Sequence, residues 1–112
     1  MNNALQYIDW KPIPDRTGVS GIPIKVVIGE HVPIGYMPLP PGYQNPPHQH
    51  PSEQVGIVVA GEIEYHVEGT VITCRTGDSY IIPPGKLHSV KVISDEPALL
   101  FECFTPKREE YR

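Results

Sequence analysis

Cysteine is scarce in this sequence, and long apolar runs are missing from its 112 residues. A membrane-spanning helix needs about 20 consecutive apolar residues, and no stretch of the chain approaches that length, so a helical membrane protein is excluded. Cys74 and Cys103 are the only two cysteines, and they form no CxxC pair of the kind that binds metal or exchanges disulfides. We expect both to be reduced, structural thiols rather than a disulfide.

Strong charge is also missing. Nine Lys and Arg residues against 13 Asp and Glu residues give a formal net charge of −4, so nothing favours nucleic acid or an anionic membrane as a partner. Asn2, Asn3, Gln6 and Asp9 interrupt the apolar core that a secretory signal peptide would need. We therefore expect a cytoplasmic protein.

Proline and glycine, in contrast, are abundant, with 14 and 10 residues. They fall singly or in pairs between short apolar runs, a pattern typical of an all-β domain with frequent turns. The length suits one domain with one core, divided into an N-terminal arm (1–21) anchored by Trp10, a barrel or sandwich (22–104) and a tail (105–112). About nine short strands are predicted, among them 22–28, 32–39, 54–60, 62–67, 71–75, 79–82, 88–93 and 98–104.

Two histidines two residues apart mark the first candidate site. His48 and His50 follow a proline pair and precede Pro51, so a helix is disfavoured and a strand is predicted. Residues two apart on a strand point to the same face, which would place the two imidazoles side by side. Gln54 follows with a side-chain oxygen, and this combination suits a divalent cation. Taken alone, the pair is better explained as two surface histidines in a proline-rich loop than as a metal site.

A second stretch strengthens the metal hypothesis. Residues 77–88 read GDSYIIPPGKLH, which predicts a short strand, a Pro-Pro-Gly turn and a third histidine, His88. The two stretches together resemble the two motifs of the cupin superfamily. The first, G-x5-H-x-H-x3-[E/Q]-x6-G, is filled by Gly42, His48, His50, Gln54 and Gly61. The second, G-x5-P-x-G-x2-H-x3-N, is filled by Gly77, Pro83, Gly85 and His88, with Val92 in place of the final Asn.

The resemblance implies an all-β, double-stranded β-helix (the cupin jelly-roll barrel) in a single domain. It also implies that one divalent transition metal (Zn, Ni, Mn, Co or Fe) is held by His48, His50, Gln54 and His88. Many cupins carry Glu at the position of Gln54. The neutral amide would leave the site with a net charge of about +2, which favours Lewis-acid chemistry on a carbonyl or carboxylate substrate.

A finer resemblance concerns the stretch HPSEQVGIVVAGE and the tail pattern F-x-P-x-R-E-x-[FY] from Phe104 to Tyr111. Both are similar to the KdgF group of small cupins, which implies ring opening or isomerisation of a 4,5-unsaturated uronate. On this basis Glu102 would move a proton, Arg108 would pair with the substrate carboxylate, and Phe104 would pack on the sugar ring. The group usually carries Asp at the position of Glu102. Further substrate contacts are expected from Tyr36, Met37 and Tyr80.

Alternative interpretations remain open at this stage. The same scaffold could serve an Fe- or Mn-dependent dioxygenase, which Gln54 disfavours, or a non-catalytic barrel that binds or senses a small molecule. Glu102 could be a solvated strand residue, Phe104 a core residue and Arg108 a surface charge. The arm and the edge strands need cover, and cupins commonly pair, so a homodimer is expected.

Overall fold

The structure is a computed structural model that describes residues 5–17 and 23–105. Within these ranges the chain forms nine strands: β1 (Arg16–Thr17), β2 (Pro23–Ile28), β3 (Pro33–Leu39), β4 (Glu53–Ala60), β5 (Glu62–Val67), β6 (Thr70–Arg75), β7 (Ser79–Ile82), β8 (His88–Val92) and β9 (Ala98–Thr105). The eight strands given individually by the sequence are all present, and each end lies within one residue of its prediction. Only β1, inside the arm, was not foreseen.

The strands form two antiparallel sheets that face one another across a single core. The larger sheet has the order β1-β2-β3-β9-β4-β7, and the smaller has the order β6-β5-β8. Alternate residues of each strand point inward, so Val58 and Leu100 of the larger sheet meet Ile63 and Val90 of the smaller sheet in one buried cluster. This arrangement is the predicted double-stranded β-helix. No helix capable of spanning a membrane occurs in the parts of the chain described.

The segment that carries His48 and His50 is extended but is not the strand that the sequence predicts. It touches β8 through two isolated bridges, Gln44 with Lys91 and His48 with His88. Pro46 and Pro47 lack an N–H donor, so a continuous ladder cannot form between the bridges. The backbones of His48 and His88 nevertheless exchange two hydrogen bonds of 2.9 and 2.8 Å, which places the first histidine beside the third.

The turn before β8 joins the two sequence motifs. Gly85 has a φ of +74°, a conformation that glycine adopts without the steric cost of a side chain. Its N–H donates a hydrogen bond of 2.9 Å to the carbonyl oxygen of His50. The Pro-Pro-Gly turn therefore holds the backbone of the histidine pair as well as leading into His88.

Gly56 is required for a different reason, the close approach of a neighbouring side chain. On the larger sheet Gly56 of β4 pairs with Tyr80 of β7 on one side and with Glu102 of β9 on the other. A Cβ built on Gly56 would lie 2.5 Å from Cζ and 2.8 Å from Cε2 of Tyr80. Because no side chain is present there, the Tyr80 ring crosses over β4 and reaches β9.

Trp10, in the N-terminal arm, packs on the outer face of the larger sheet. Trp10 stacks on Tyr36 with ring centroids 5.3 Å apart and lies 6.1 Å from Phe101, and Lys25 Nζ donates a hydrogen bond of 3.0 Å to the Trp10 carbonyl. Cys74 and Cys103 are free thiols, as predicted. The homodimer stays a prediction.

We predict that Gly56→Ala destabilises the protein by about 1–3 kcal/mol, because the added methyl group overlaps the Tyr80 ring and overpacks the core. Chemical denaturation of the metal-free protein measures the effect. Gly29→Ala is the matched control, since a Cβ at Gly29 would meet only the Val32 carbonyl oxygen at an ordinary 3.5 Å. Equal stability of the two variants would contradict the packing described for Gly56.

Candidate metal centre

Three histidines converge at one end of the barrel. The ring centroids of His48 and His88 are 4.3 Å apart, those of His50 and His88 are 4.9 Å apart, and those of His48 and His50 are 5.6 Å apart. One nitrogen from each ring can be chosen so that all three lie within 4.8 Å of one another. His50 and His88 are buried, whereas His48 is half-buried. The spacing of the first motif and the His48–His88 bridge together produce this cluster.

The ring of His88 is oriented so that a buried nitrogen faces the cluster. Its Nδ1–H donates a hydrogen bond of 2.7 Å to the Lys86 carbonyl, which leaves Nε2 with a lone pair. Among the residues that the structure describes, Nε2 has no hydrogen-bond partner, and the residue is only 2% exposed. An unsatisfied buried acceptor costs about 1–3 kcal/mol. A divalent cation would satisfy it, so the site fits a metal on this observation.

His50 can present either ring nitrogen as the donor. Its Nδ1 lies 3.1 Å from the Ser52 carbonyl, which accepts, and 2.9 Å from the Ser52 hydroxyl, which can donate. Its Nε2 lies 3.0 Å from Oε1 of Gln54. When Nδ1–H donates to the Ser52 carbonyl, Nε2 keeps its lone pair and lies close enough to the Gln54 oxygen for both atoms to bind one cation.

Asn45 lies beside the ring of His48. The backbone N–H of Val90 donates a hydrogen bond of 2.8 Å to Oδ1 of Asn45, which fixes the amide and leaves Nδ2 3.4 Å from Nδ1 of His48. Sequence reasoning missed both Asn45 and Ser52. The only signal was their location inside the first motif, where the pattern allows any residue.

The amide of Gln54 has a defined orientation. Its Nε2 donates a hydrogen bond of 2.8 Å to Oε1 of Glu102 and lies 3.4 Å from the Tyr65 hydroxyl. The amide oxygen is therefore turned toward His50 and the cluster. The oxygen of Gln54 is an atom of the kind that a cation binds, and the role of Gln54 as a fourth ligand stays a prediction.

Glu102 lies directly behind Gln54, deep in the barrel. It is 1% exposed, so the alternative that it is a solvated strand residue is wrong. Oε1 accepts from Gln54, and Oε2 accepts from the hydroxyls of Tyr65, at 2.6 Å, and of Tyr80, through a short hydrogen bond. No ion pair to Glu102 occurs within residues 5–17 and 23–105. Three donors aimed at two oxygens match an ionised carboxylate.

The surroundings of Tyr65 and Tyr80 favour the protonated form of both hydroxyls. Burial, followed by the charge of Glu102, raises the pKa of Tyr65 and of Tyr80 well above the usual value. Their ring centroids are 4.6 Å apart, although Tyr65 comes from the smaller sheet and Tyr80 from the larger. Both hydroxyls therefore remain protonated at neutral pH and donate to the buried carboxylate. Tyr65 is a further residue of this network that sequence reasoning missed.

Glu102 also changes the charge expected of the centre. The value of about +2 counted three histidines, Gln54 and a divalent cation, all ligands being neutral. A carboxylate one hydrogen bond behind Gln54 reduces the charge of the whole assembly to about +1. The negative charge that a Glu ligand would carry is still present, displaced from residue 54 to residue 102.

The remaining predicted site residues are distributed unevenly. Phe104 and Met37 are buried in the core, and Phe104 pairs with Gln54 across the strands. Tyr36 lies on the opposite face of β3 from Met37, against Trp10 and Phe101, so the structure does not bring it to the histidines. Tyr80 contacts the centre indirectly, through its hydrogen bond to Glu102, rather than as a residue that lines the opening of the site. Arg108 lies outside the described residues.

Known proteins resemble this chain in sequence and in fold. A profile of the cupin domain matches residues 35–104, more than half of the chain. The pectin degradation protein KdgF of Dickeya dadantii (strain 3937) is 35% identical over 66 residues, which are 58% of this chain and 59% of the Dickeya protein. The match thus spans about three-fifths of that relative's length.

Two solved structures share the fold over nearly the whole length. KdgF from a Halomonas species has a TM-score of 0.80 at 22% identity, covering 97% of this chain and 100% of that one. An RmlC-like cupin from Shewanella frigidimarina has a TM-score of 0.79 at 21% identity, covering all of both chains. At these identities the two likenesses establish the fold.

We predict that His88→Leu abolishes stabilisation by metal and does not greatly destabilise the metal-free protein. Leu removes the unpaired buried Nε2, so the free energy of unfolding without metal should fall by no more than about 1 kcal/mol or should rise. The increase in melting temperature that zinc gives the native protein should be lost. Thermal denaturation with and without zinc measures both effects, with His66→Leu, at a partly exposed position, as the control. Retained stabilisation by zinc would contradict the assignment of His88 as a ligand.

A second prediction concerns alkaline pH. Tyrosines in the unfolded chain ionise near pH 10, whereas Tyr65 and Tyr80 stay protonated in the fold. Their contribution to stability is therefore complete below about pH 10 and is lost as the pH rises above it, by up to about 1.4 kcal/mol per pH unit for each tyrosine. In Tyr80→Phe the free energy of unfolding should fall less steeply with pH, because the contribution of one tyrosine is missing.

Denaturation of the metal-free protein at several pH values from about 8 to about 11, the range around the ordinary tyrosine pKa, measures this slope. Tyr7→Phe is the control because Tyr7 is 91% exposed. A slope in Tyr80→Phe equal to that of the control would contradict the raised pKa of the buried hydroxyl.

Proposed function

The chain belongs to the cupin family, and we propose that it is a divalent-metal-dependent enzyme that opens or isomerises the ring of a 4,5-unsaturated uronate. A related small carbonyl or carboxylate substrate fits the same chemistry. The observation that carries the proposal is the buried histidine cluster with the Gln54 oxygen turned toward it. The similarity to a pectin degradation protein supports the substrate class.

His48, His50, Gln54 and His88 would hold the cation. A bound divalent cation would supply a Lewis acid that polarises a carbonyl or carboxylate oxygen. His48 is the most exposed of the three histidines, so a small substrate would approach the centre from its side. His50 and His88 lie deeper, where they are shielded from water.

Glu102 acts through Gln54 rather than on the substrate in this proposal. Both of its oxygens are occupied by donors, and the Gln54 amide separates it from the histidines. Arg108 would pair with the substrate carboxylate, because a guanidinium binds a carboxylate through two parallel hydrogen bonds. Phe104 would form an apolar wall next to Gln54.

A dioxygenase that uses Fe or Mn is the second candidate, and one observation favours it. Gln54 argued against this function because a neutral ligand stabilises a higher oxidation state of iron poorly. The Glu102 carboxylate behind Gln54 provides a negative charge close to the centre, which weakens that objection. Oxygen uptake with the Fe(II)-loaded protein would identify this function.

The test is an assay of the zinc-, manganese- and nickel-loaded proteins with a 4,5-unsaturated monouronate, following the loss of its ultraviolet absorbance. We expect metal-dependent decay that is lost in Gln54→Ala. Arg108→Ala should lower kcat/KM by about 10- to 100-fold, because it removes a hydrogen-bonded charge pair. Arg75→Ala is the control, since Arg75 is exposed and lies beside Glu62.

Decay no faster than the uncatalysed rate with every metal would remove the uronate proposal. If the native protein is then also inactive in the oxygen assay but binds the uronate tightly, the protein is a binding barrel instead. Equal activity of Arg108→Ala and Arg75→Ala would remove the role given to Arg108.

A further inference from the structure

Gln54 and Glu102 form a buried, hydrogen-bonded pair beside the histidine cluster. We infer that Glu102 is a positioning residue and the counter-charge of the metal centre, acting on the cation through the amide of Gln54. This inference rests on the metal-binding part of the proposed function and is independent of the uronate reaction.

The first support is the orientation of the amide. With Nε2 bound to Glu102 at 2.8 Å, the Gln54 oxygen lies 3.0 Å from Nε2 of His50. A rotated amide would bring its oxygen against Oε1 of Glu102, which is also an acceptor, and would aim its NH₂ group at the histidines. Donor hydrogens repel a cation, so only the observed orientation provides a ligand.

The second support is that Glu102 is itself held in place. The hydroxyls of Tyr65 and Tyr80 both donate to Oε2, which leaves Oε1 directed at Gln54. The two tyrosines come from opposite sheets, and Tyr80 reaches Glu102 only because Gly56 has no side chain. Glu102 is 1% exposed and has three hydrogen-bond donors, with no ion pair among the described residues. Its position is therefore fixed by these hydrogen bonds and not by contact with solvent.

The third support is that the side chains of residues 54 and 102 could be exchanged without loss of a hydrogen bond. If residue 54 were Glu and residue 102 were Gln, the Gln amide nitrogen would donate to the new carboxylate and its oxygen would accept from both tyrosines. Every hydrogen bond would then be retained, and the negative charge would move from behind the ligand to the ligand itself. The exchanged pair should therefore build an equivalent centre, whereas either single change should not.

The experiment compares Gln54→Glu, Glu102→Gln and the double variant with the native protein. Glu102→Gln should weaken zinc binding by about 10- to 100-fold, the usual effect of losing the partner behind a ligand, because the Gln54 amide is free to rotate. Gln54→Glu should lower the denaturation midpoint of the metal-free protein, since two carboxylates would meet at the Gln54–Glu102 contact. The double variant should recover the midpoint and bind zinc at least as tightly as the native protein.

Zinc affinity is measured by competition with a chromophoric chelator, and the ligand field is measured from the visible spectrum of the Co(II)-loaded proteins. The Co(II) spectrum should change in Glu102→Gln and should not change in Glu64→Gln. Glu64 is the matched control because it is a half-buried glutamate, beside His66 on β5, with no contact to the centre. A role in folding alone would leave the spectrum unchanged.

The inference is overturned if Glu102→Gln binds zinc as tightly as Glu64→Gln with an unchanged Co(II) spectrum. It is also overturned if the double variant is no better than the worse single variant. Should Gln54→Glu fail to fold, the comparison of Glu102→Gln with Glu64→Gln decides alone. A native protein that binds neither zinc nor cobalt would remove the metal-binding function itself, a result that is distinct from both.

Discussion

The hydrogen bond of 2.8 Å between the Gln54 amide nitrogen and the Glu102 carboxylate fixes the orientation of the Gln54 side chain at the candidate metal centre. It turns the amide oxygen toward three histidines, one of which, His88, has a buried ring nitrogen with no hydrogen-bond partner among the described residues. It also places a carboxylate behind Gln54, so that a cation held by the histidines would have a negative charge nearby that is not one of its ligands. Removing either partner would leave a buried polar group without a partner, which costs more than the hydrogen bond itself contributes.

The surrounding fold maintains this contact from several directions. Gln54 and Glu102 lie on β4 and β9, which pair along most of their lengths, while Tyr65 and Tyr80 approach Glu102 from opposite sheets. Gly56 provides the space for the Tyr80 ring, and Gly85 ties the Pro-Pro-Gly turn to the histidine pair. The polar network is therefore supported by the same sheets that form the apolar core, and a change in one is expected to affect the other.

Much of this architecture could be predicted from the sequence. Period-2 alternation and turn residues gave strand ends within one residue, because both signals are local. Motif spacing brought together His48, His50, Gln54 and His88. The contacts of Glu102 with Tyr65 and Tyr80 depend on the pairing of distant strands, which local patterns do not encode. The outward position of Tyr36 was undetermined for the same reason, and the prolines before His48 interrupted the predicted strand.

The most direct test of the account is neutron diffraction from deuterated crystals of the zinc-loaded protein, because it locates the deuterons of the Gln54 amide. We predict both deuterons on the atom that faces Glu102, with the oxygen directed at the zinc ion. Deuterons on the atom that faces the histidines, or a Gln54 side chain turned away from the metal, would contradict the central claim that Glu102 orients this ligand.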